Sequence, residues 1–255
     1  MVEVPGSSPG ASTIRQCVEM IATRIMVEII HEDKHLIAVN KPPGMVVFHE
    51  NDTAVRKESL SFLLSKRYPE LRSLNHPRNG AVHRLDKDTS GIVLFARDED
   101  SFFFLQKEFL KRRAKKKYLA LVFKRMKKEE GRIEMLMQRS KKDRRKQAPG
   151  GKRGRRSLTL FKVIERFNDF TLLEVIPVTG RKHQIRCHLS FTGHPVVGDR
   201  LYRFKDQQDP EDLKRQFLHA GLLKIRTPDG VKTFKAPLSQ DLRKILWKLK
   251  DQRSN

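Results

Sequence analysis

The residues best suited to chemistry lie between Ala81 and Asp98, in the run AVHRLDKDTSGIVLFARD. His83, Arg84, Leu85 and Asp86 form a polar cluster that passes through Thr89-Ser90-Gly91 into an apolar, strand-like stretch, Ile92 to Ala96. A carboxylate beside fixed cations, where the chain turns into a strand, can be presented to a substrate by a rigid scaffold. Asp86 is therefore the candidate nucleophile or base. Two further stretches hold groups that would complement it. Between Lys111 and Lys128 there are ten Lys or Arg and no acid. A charge run is ordinarily a solvated face, but this one brackets Tyr118 inside an apolar strand, and aromatic and cationic groups together can stack a base and hold its phosphates. Thr179 to Leu189 reads as a helix begun by Thr179 or Gly180 and stopped by Gly193 and Pro195. On it His183 and Arg186 are three apart and share a side, with Ile185 and Leu189 facing the core.

The elements that must position these groups are legible in outline. Arg24–Ile30 and Leu36–Val39 are short β-branched runs that suggest a strand pair. Between them His31-Glu32-Asp33-Lys34-His35 matches the zinc-protease pattern H-E-x-x-H. That chemistry needs both histidines on one helix face, with the glutamate acting on metal-bound water. Strand-like flanks make this stretch a turn carrying two exposed histidines, with no metal expected. Asn40-Lys41-Pro42-Pro43-Gly44 is a rigid bend that positions Lys41. Glu58–Tyr68 is a short amphipathic helix, and Asp100–Arg113 a longer one with Phe103 and Leu110 on its core side. Leu158–Ile164 and Phe170–Val178 form a hairpin about Asn168-Asp169, and Leu218–Ala236 forms two strands about Thr227-Pro228-Asp229-Gly230. Ser239–Lys250 closes the chain as an amphipathic helix with Leu242, Ile245, Leu246 and Leu249 inward.

Composition bounds the function. With 255 residues, 38% of them hydrophobic, the chain can build a substantial core. Its 54 Lys+Arg against 30 Asp+Glu give a formal charge of +24, a field that concentrates polyanions. Nucleic acid is the first candidate partner. A membrane is less well supported, because no apolar run approaches the roughly 20 residues of a spanning helix. Cys17 and Cys187 are too few for a disulfide scaffold, so a cytoplasmic protein is expected. Residues 1–24 read as a flexible Pro/Gly/Ser tail and residues 25–251 as one domain. Within it, residues 139–156 (RSKKDRRKQAPGGKRGRR) read as a mobile, basic hairpin or loop that binds phosphate.

Four stretches, taken in order, resemble the RluA-type family of pseudouridine synthases: Asn40–Gly44, His83–Gly91, Lys117–Val122 and Thr179–Arg186. The resemblance continues through Gly193–Asp199 and Leu218-His219-Ala220. It implies an α+β catalytic fold, a long and mostly antiparallel mixed sheet in two halves, with flanking helices and a central cleft. It also implies isomerisation of uridine to pseudouridine in structured RNA, ribosomal or transfer, with no cofactor. The family's aspartate falls on Asp86, its tyrosine on Tyr118 and its arginine on Arg186. Arg84, Lys41, His83, Arg181, His183 and Gln184 are the expected substrate-binding residues, Arg84 displacing the base or contacting phosphate and His83 supporting the loop. Only the tail 1–24 precedes the first strand, so the small RNA-binding domain that begins many members is expected to be absent, and a monomer is expected.

The chemistry of the residues agrees with this. Breaking the glycosidic bond develops positive charge on the ribose. An anionic Asp86, paired with the guanidinium of Arg186, would trap that charge or take a ribose proton to give a glycal. Tyr118 would stack on the detached uracil and assist the last proton removal, and the target base would be flipped out of its helix. The rival readings are a non-catalytic basic RNA- or ribosome-binding protein, and a hydrolase that releases uracil or uses zinc.

Overall fold

The computed structural model describes residues 27–49, 59–74, 78–151 and 153–254; the tail 1–24 lies outside them. Ten strands form one sheet in the order β1-β2-β3-β9-β4-β8-β7-β5-β6, with β10 on β9. These are β1 (Glu28–Glu32), β2 (Leu36–Lys41), β3 (Ser90–Ala96), β4 (Lys115–Phe123), β5 (Glu130–Arg139), β6 (Gln147–Pro149), β7 (Arg155–Arg166), β8 (Phe170–Pro177), β9 (Leu218–Thr227) and β10 (Gly230–Lys235). Every pairing is antiparallel except β3 with β9, which has only two partner positions, Ser90 with His219 and Gly91 with Ala220. That short parallel contact joins the two halves of an α+β fold, and β9 continues into the second half by pairing with β4.

The apolar patterns explain the layering. Every residue of β3 is buried. Ile92 and Leu94 face one cluster with α2 (Glu99–Leu110), while Val93 and Phe95 face another with α1 (Leu60–Arg67). A strand covered on both faces reads as a continuous apolar run, not as an alternation. In β4, Ala120 and Val122 meet Ile185 and Leu189 of α3 (Gln184–Phe191), while Leu121 meets Leu242, Ile245 and Leu249 of α4 (Gln240–Ser254). Tyr118 lies two residues before Ala120 and so shares the α3 face.

The phase of one helix differs from the sequence reading. On α2 it is Phe102 and Leu105 that are buried, while Phe103 is 56% and Leu110 75% exposed. The run Phe102-Phe103-Phe104-Leu105 carries apolar residues on several faces, so periodicity alone does not choose the phase. Asp98 starts the helix by accepting from the Ser101 N–H at 2.7 Å, and contact with β2 and β3 selects the face. In the basic stretch 139–156, expected as a hairpin or loop, Gln147–Pro149 ladders onto Met137–Arg139, and Arg155 and Arg156 already belong to β7. We call it the basic arm.

Gly91 marks the tightest point of the joint. Its φ is +117°, and a Cβ there would stand 2.3 Å from the Ala220 carbonyl oxygen. Gly91→Ala is expected to cost about 3 kcal/mol through backbone strain and overpacking. Urea unfolding should show that loss together with reduced activity, since the Asp86 loop enters β3 here.

Candidate active site

Asp86 sits on the loop between His83 and β3, and that loop is tied from several sides. The backbone turns on a Thr89 N–H bond to the Asp86 carbonyl, 3.1 Å, and Leu85 is buried in the core beneath. Two cations from outside the loop hold its carbonyls. Lys41 is 0% exposed, and its Nζ donates to the carbonyls of Pro42 (2.7 Å), Met45 (2.7 Å) and Lys87 (2.8 Å). Arg215 donates to the Asp88 carbonyl at 3.0 Å and to Ser90 Oγ at 3.2 Å, and is anchored in turn by Asp241 at 2.7 Å. Gln216 reaches Thr89 at 3.2 Å and His219 reaches Ser90 at 2.9 Å. Buried carbonyls left without such donors would each cost about 1–3 kcal/mol, so the clamp determines where the carboxylate points.

The Asp86 carboxylate meets Arg186 of α3. Arg186 Nη1 donates to Asp86 Oδ2 at 3.0 Å. The other edge of the guanidinium is gripped by Asp199, with Nε to Oδ2 at 2.6 Å and Nη2 to Oδ1 at 2.8 Å. Asp199 is 0% exposed, and its Oδ1 also accepts from the N–H groups of Leu201 (2.9 Å) and Tyr202 (3.1 Å). Burial would lower the Arg186 pKa, but the hydrogen bonds and charge of Asp199, with Asp86 behind them, push it above its ordinary value. The planar fork is thus fixed by one carboxylate and presented to the other. The Tyr202 ring lies 5.2 Å from the guanidinium carbon.

Tyr118 occupies the same face of β4. Burial pushes its phenol above the usual tyrosine range, and the charge of Asp86 adds to the shift. Arg84 is exposed, with its guanidinium 5.0 Å from the Phe48 ring. Arg181 is half-buried just before α3, and its Nε is a buried atom with no partner among the described residues. His183 precedes the helix, with Nε2 at 3.9 Å from Asp86 Oδ1.

Three of the residues expected at the substrate have their polar atoms engaged within the protein. Lys41 is wholly enclosed, and its three hydrogens go to backbone carbonyls. Burial pushes its ammonium down to about 7, against the opposing charge of Asp88. Gln184 is also saturated: Oε1 accepts from Thr179 Oγ1 and the Arg181 N–H, while Nε2 donates to the Leu158 carbonyl and Thr159 Oγ1. It closes the bend Thr179–His183, which is why α3 starts at Gln184 and not at Thr179. His83 accepts the Leu94 N–H at 3.1 Å and stacks on Phe109 at 4.5 Å, so it supports the loop. The H-E-x-x-H residues do not converge. His31 turns to Asp33 at 2.8 Å, Glu32 takes the Tyr68 hydroxyl at 2.6 Å, and His35 reaches Ser101 at 3.1 Å. Sequence reasoning gave no role to Asp199, Tyr202, Arg215 or Gln216. Asp199 stood within the stretch Gly193–Asp199, but only the folded chain shows what it holds.

A family model described as RNA pseudouridylate synthase matches residues 35–191, more than half the chain. The chain belongs to the RNA pseudouridylate synthase family. It is of the RluA type, an enzyme that isomerises uridine in RNA. An uncharacterized RNA pseudouridine synthase of Bacillus subtilis is 34% identical over 243 residues, covering 92% of this synthase and 77% of the relative. Ribosomal large subunit pseudouridine synthase D of Nitrosomonas europaea is 35% identical over 238 residues, 90% of this chain and 67% of that one. Among solved structures, human RNA pseudouridylate synthase domain containing 1 is 25% identical with a TM-score of 0.68, covering 88% of this synthase and 95% of that chain. No helix among the described residues is long and apolar enough to cross a membrane.

The histidines around this site carry a pH signature. Burial pushes His83 down to about 3, helped by the charge of Lys116, and pushes His188 of α3 down to about 4. Both fold as neutral rings, so the unfolded chain binds more protons below its own histidine pKa of about 6.5. Their stabilisation is complete above that pH and is lost as pH falls toward 4. Each contributes a slope of up to about 1.4 kcal/mol per pH unit in that window. Urea unfolding from pH 7 to 4 should show this decline, and His83→Gln should reduce the slope by about one proton's share.

Proposed function

We propose that this synthase modifies a uridine in ribosomal RNA, with Asp86 as the reacting carboxylate, Arg186 as its partner and Tyr118 against the base. The single observation that carries the residue roles is the shared guanidinium: Arg186 joins Asp86 to the buried Asp199 on the face of β4 that bears Tyr118. Cleavage of the N1–C1′ bond leaves positive charge on the ribose, and Asp86 meets it by bonding to the sugar or by taking a ribose proton. The uracil then turns so that C5 bonds to C1′, and the proton displaced from C5 is removed with help from the Tyr118 hydroxyl. That phenol is held neutral by burial and Asp86, so it is a proton carrier and not a fixed charge. Exposed Arg84 beside Phe48 is suited to contact phosphate or to fill the gap left by the flipped base. His183, Arg181 and the basic arm border the same cleft as RNA contacts.

Ribosomal RNA is supported by the named activity of the relatives from Nitrosomonas europaea and Vibrio parahaemolyticus, both ribosomal large subunit synthases. Transfer RNA is the second substrate class. All the proposed reacting groups come from one chain, which supports action as a monomer, and ribosomal RNA as substrate supports a cytoplasmic setting.

Asp86→Asn should form no pseudouridine above background while RNA affinity stays within several-fold, measured by release of label from C5 and by filter binding. Full turnover by that variant would remove Asp86 from the chemistry, and release of free uracil by the wild type would point to a glycosylase instead. Arg186→Lys should also be severely impaired, because an ammonium cannot bridge two carboxylates as a planar fork does. Replacing exposed Lys141, Lys142, Arg144 and Arg153 with Gln should lower the salt slope of RNA binding, by up to about 0.7 for each phosphate that is no longer neutralised. An unchanged slope would place the arm away from the RNA.

A further inference from the structure

His183 stands at the site with an unusual backbone. Its φ and ψ are 53° and 21°, the left-handed region, in a residue that is not glycine. Such a conformation persists only where the surroundings enforce it, and it is found preferentially at functional positions. Here the surroundings lead back to the basic arm. The backbone N–H of Gln147, in β6, donates to the Tyr202 hydroxyl oxygen at 2.6 Å. An amide nitrogen can only donate, so the phenol oxygen accepts there and its own hydrogen must go elsewhere. Among the described residues the sole acceptor within reach is His183 Nδ1, at 3.2 Å.

A phenol hydrogen directed to Nδ1 would fix the tautomer. With Nδ1 accepting from Tyr202, the proton of the neutral ring sits on Nε2. Burial lowers the His183 pKa, opposed by Asp86 and assisted by Arg186 and Lys182, so the neutral ring is the relevant form. Nε2 faces Asp86 Oδ1 at 3.9 Å, the carboxylate oxygen that Arg186 does not hold. A gap of that size is typical of a catalytic contact before substrate closes the site.

We propose that, with Asp86 as the reacting group, His183 is a positioning residue that offers an Nε2–H to Asp86 Oδ1, its tautomer set through Tyr202 by the basic arm. Arg186 then orients one carboxylate oxygen and His183 the other, leaving Asp86 a single direction of approach to the ribose. RNA seated on the arm would act on the carboxylate through one peptide N–H, one phenol and one imidazole. Tyr202 also lies under Arg186 and bonds Asp199 through its N–H, so Tyr202→Phe is the informative change: it keeps the ring and removes only the relay.

The decisive measurement is the tautomer of His183, read from long-range proton–nitrogen spectra of the intact chain at neutral pH without RNA. The expected result is a proton on Nε2 in the wild type and a mixture of tautomers in Tyr202→Phe. A wild-type proton on Nδ1 overturns the proposal even if Tyr202→Phe fails to fold. In turnover, Tyr202→Phe should lower kcat by roughly tenfold to a hundredfold with KM little changed, the cost of a misaimed carboxylate. Wild-type kcat in that variant also overturns it. Gln147→Pro deletes the arm's N–H on an edge strand and should lower kcat in the same direction; no change there would detach the arm from the relay. Because the tautomer is read without turnover, a failure of this relay and a failure of Asp86 as the reacting group give different results.

Discussion

Arg186 is shared between two carboxylates of unlike surroundings. Asp199 is sealed in the protein and takes the Nε/Nη2 edge of the guanidinium together with two backbone N–H groups. Asp86 takes Nη1 from the cleft. A buried guanidinium stripped of one such partner costs about 3–5 kcal/mol, so the pairing constrains everything attached to it. The helix that carries Arg186 must seat Ile185 and Leu189 against β4, β7 and β8. The loop that carries Asp86 must meet it from the other half of the sheet, which is why the parallel contact at Gly91 matters.

The opposite side of the loop is held by buried cations. Lys41 and Arg215 draw the carbonyls of Lys87 and Asp88 inward, and Asp241 fixes Arg215 from α4. Positive charge in this chain therefore has two uses. Some of it lies on the surface for a polyanion, as in the arm, and some lies in the interior as donors for irregular backbone. Net charge describes the first use and says nothing of the second.

Much of the fold could be read from local signals. The hairpins β7–β8 and β9–β10 were announced by turn residues between β-branched runs, and the β4 strand by its apolar core behind three lysines. The phase of α2 was not, because adjacent phenylalanines offer more than one apolar stripe and only the facing strands choose. Nor was the closing of the bend before α3, where the Gln184 amide replaces a conventional cap. For the basic arm the sequence left hairpin and loop both open, because its residues are polar; its backbone pairing with β5 and its bond to the Tyr202 hydroxyl are contacts that composition does not record.

The sequence by itself pointed to the reaction class and the three residues expected to carry it, because Asp86, Tyr118 and Arg186 each stand in a motif that resembles the RluA-type family and the chemistry of those side chains agrees with it. It also determined that the partner is a polyanion. What the tertiary structure decided is how those residues are held: Asp199 behind Arg186, Arg215 and Lys41 behind the Asp86 loop, and Tyr202 with His183 between the arm and the carboxylate. The reason is physical. A reacting group is defined by its own side chain and its immediate neighbours, whereas a supporting contact joins residues distant in sequence, as Arg186 and Asp86 are, and exists only once the sheet has brought them together.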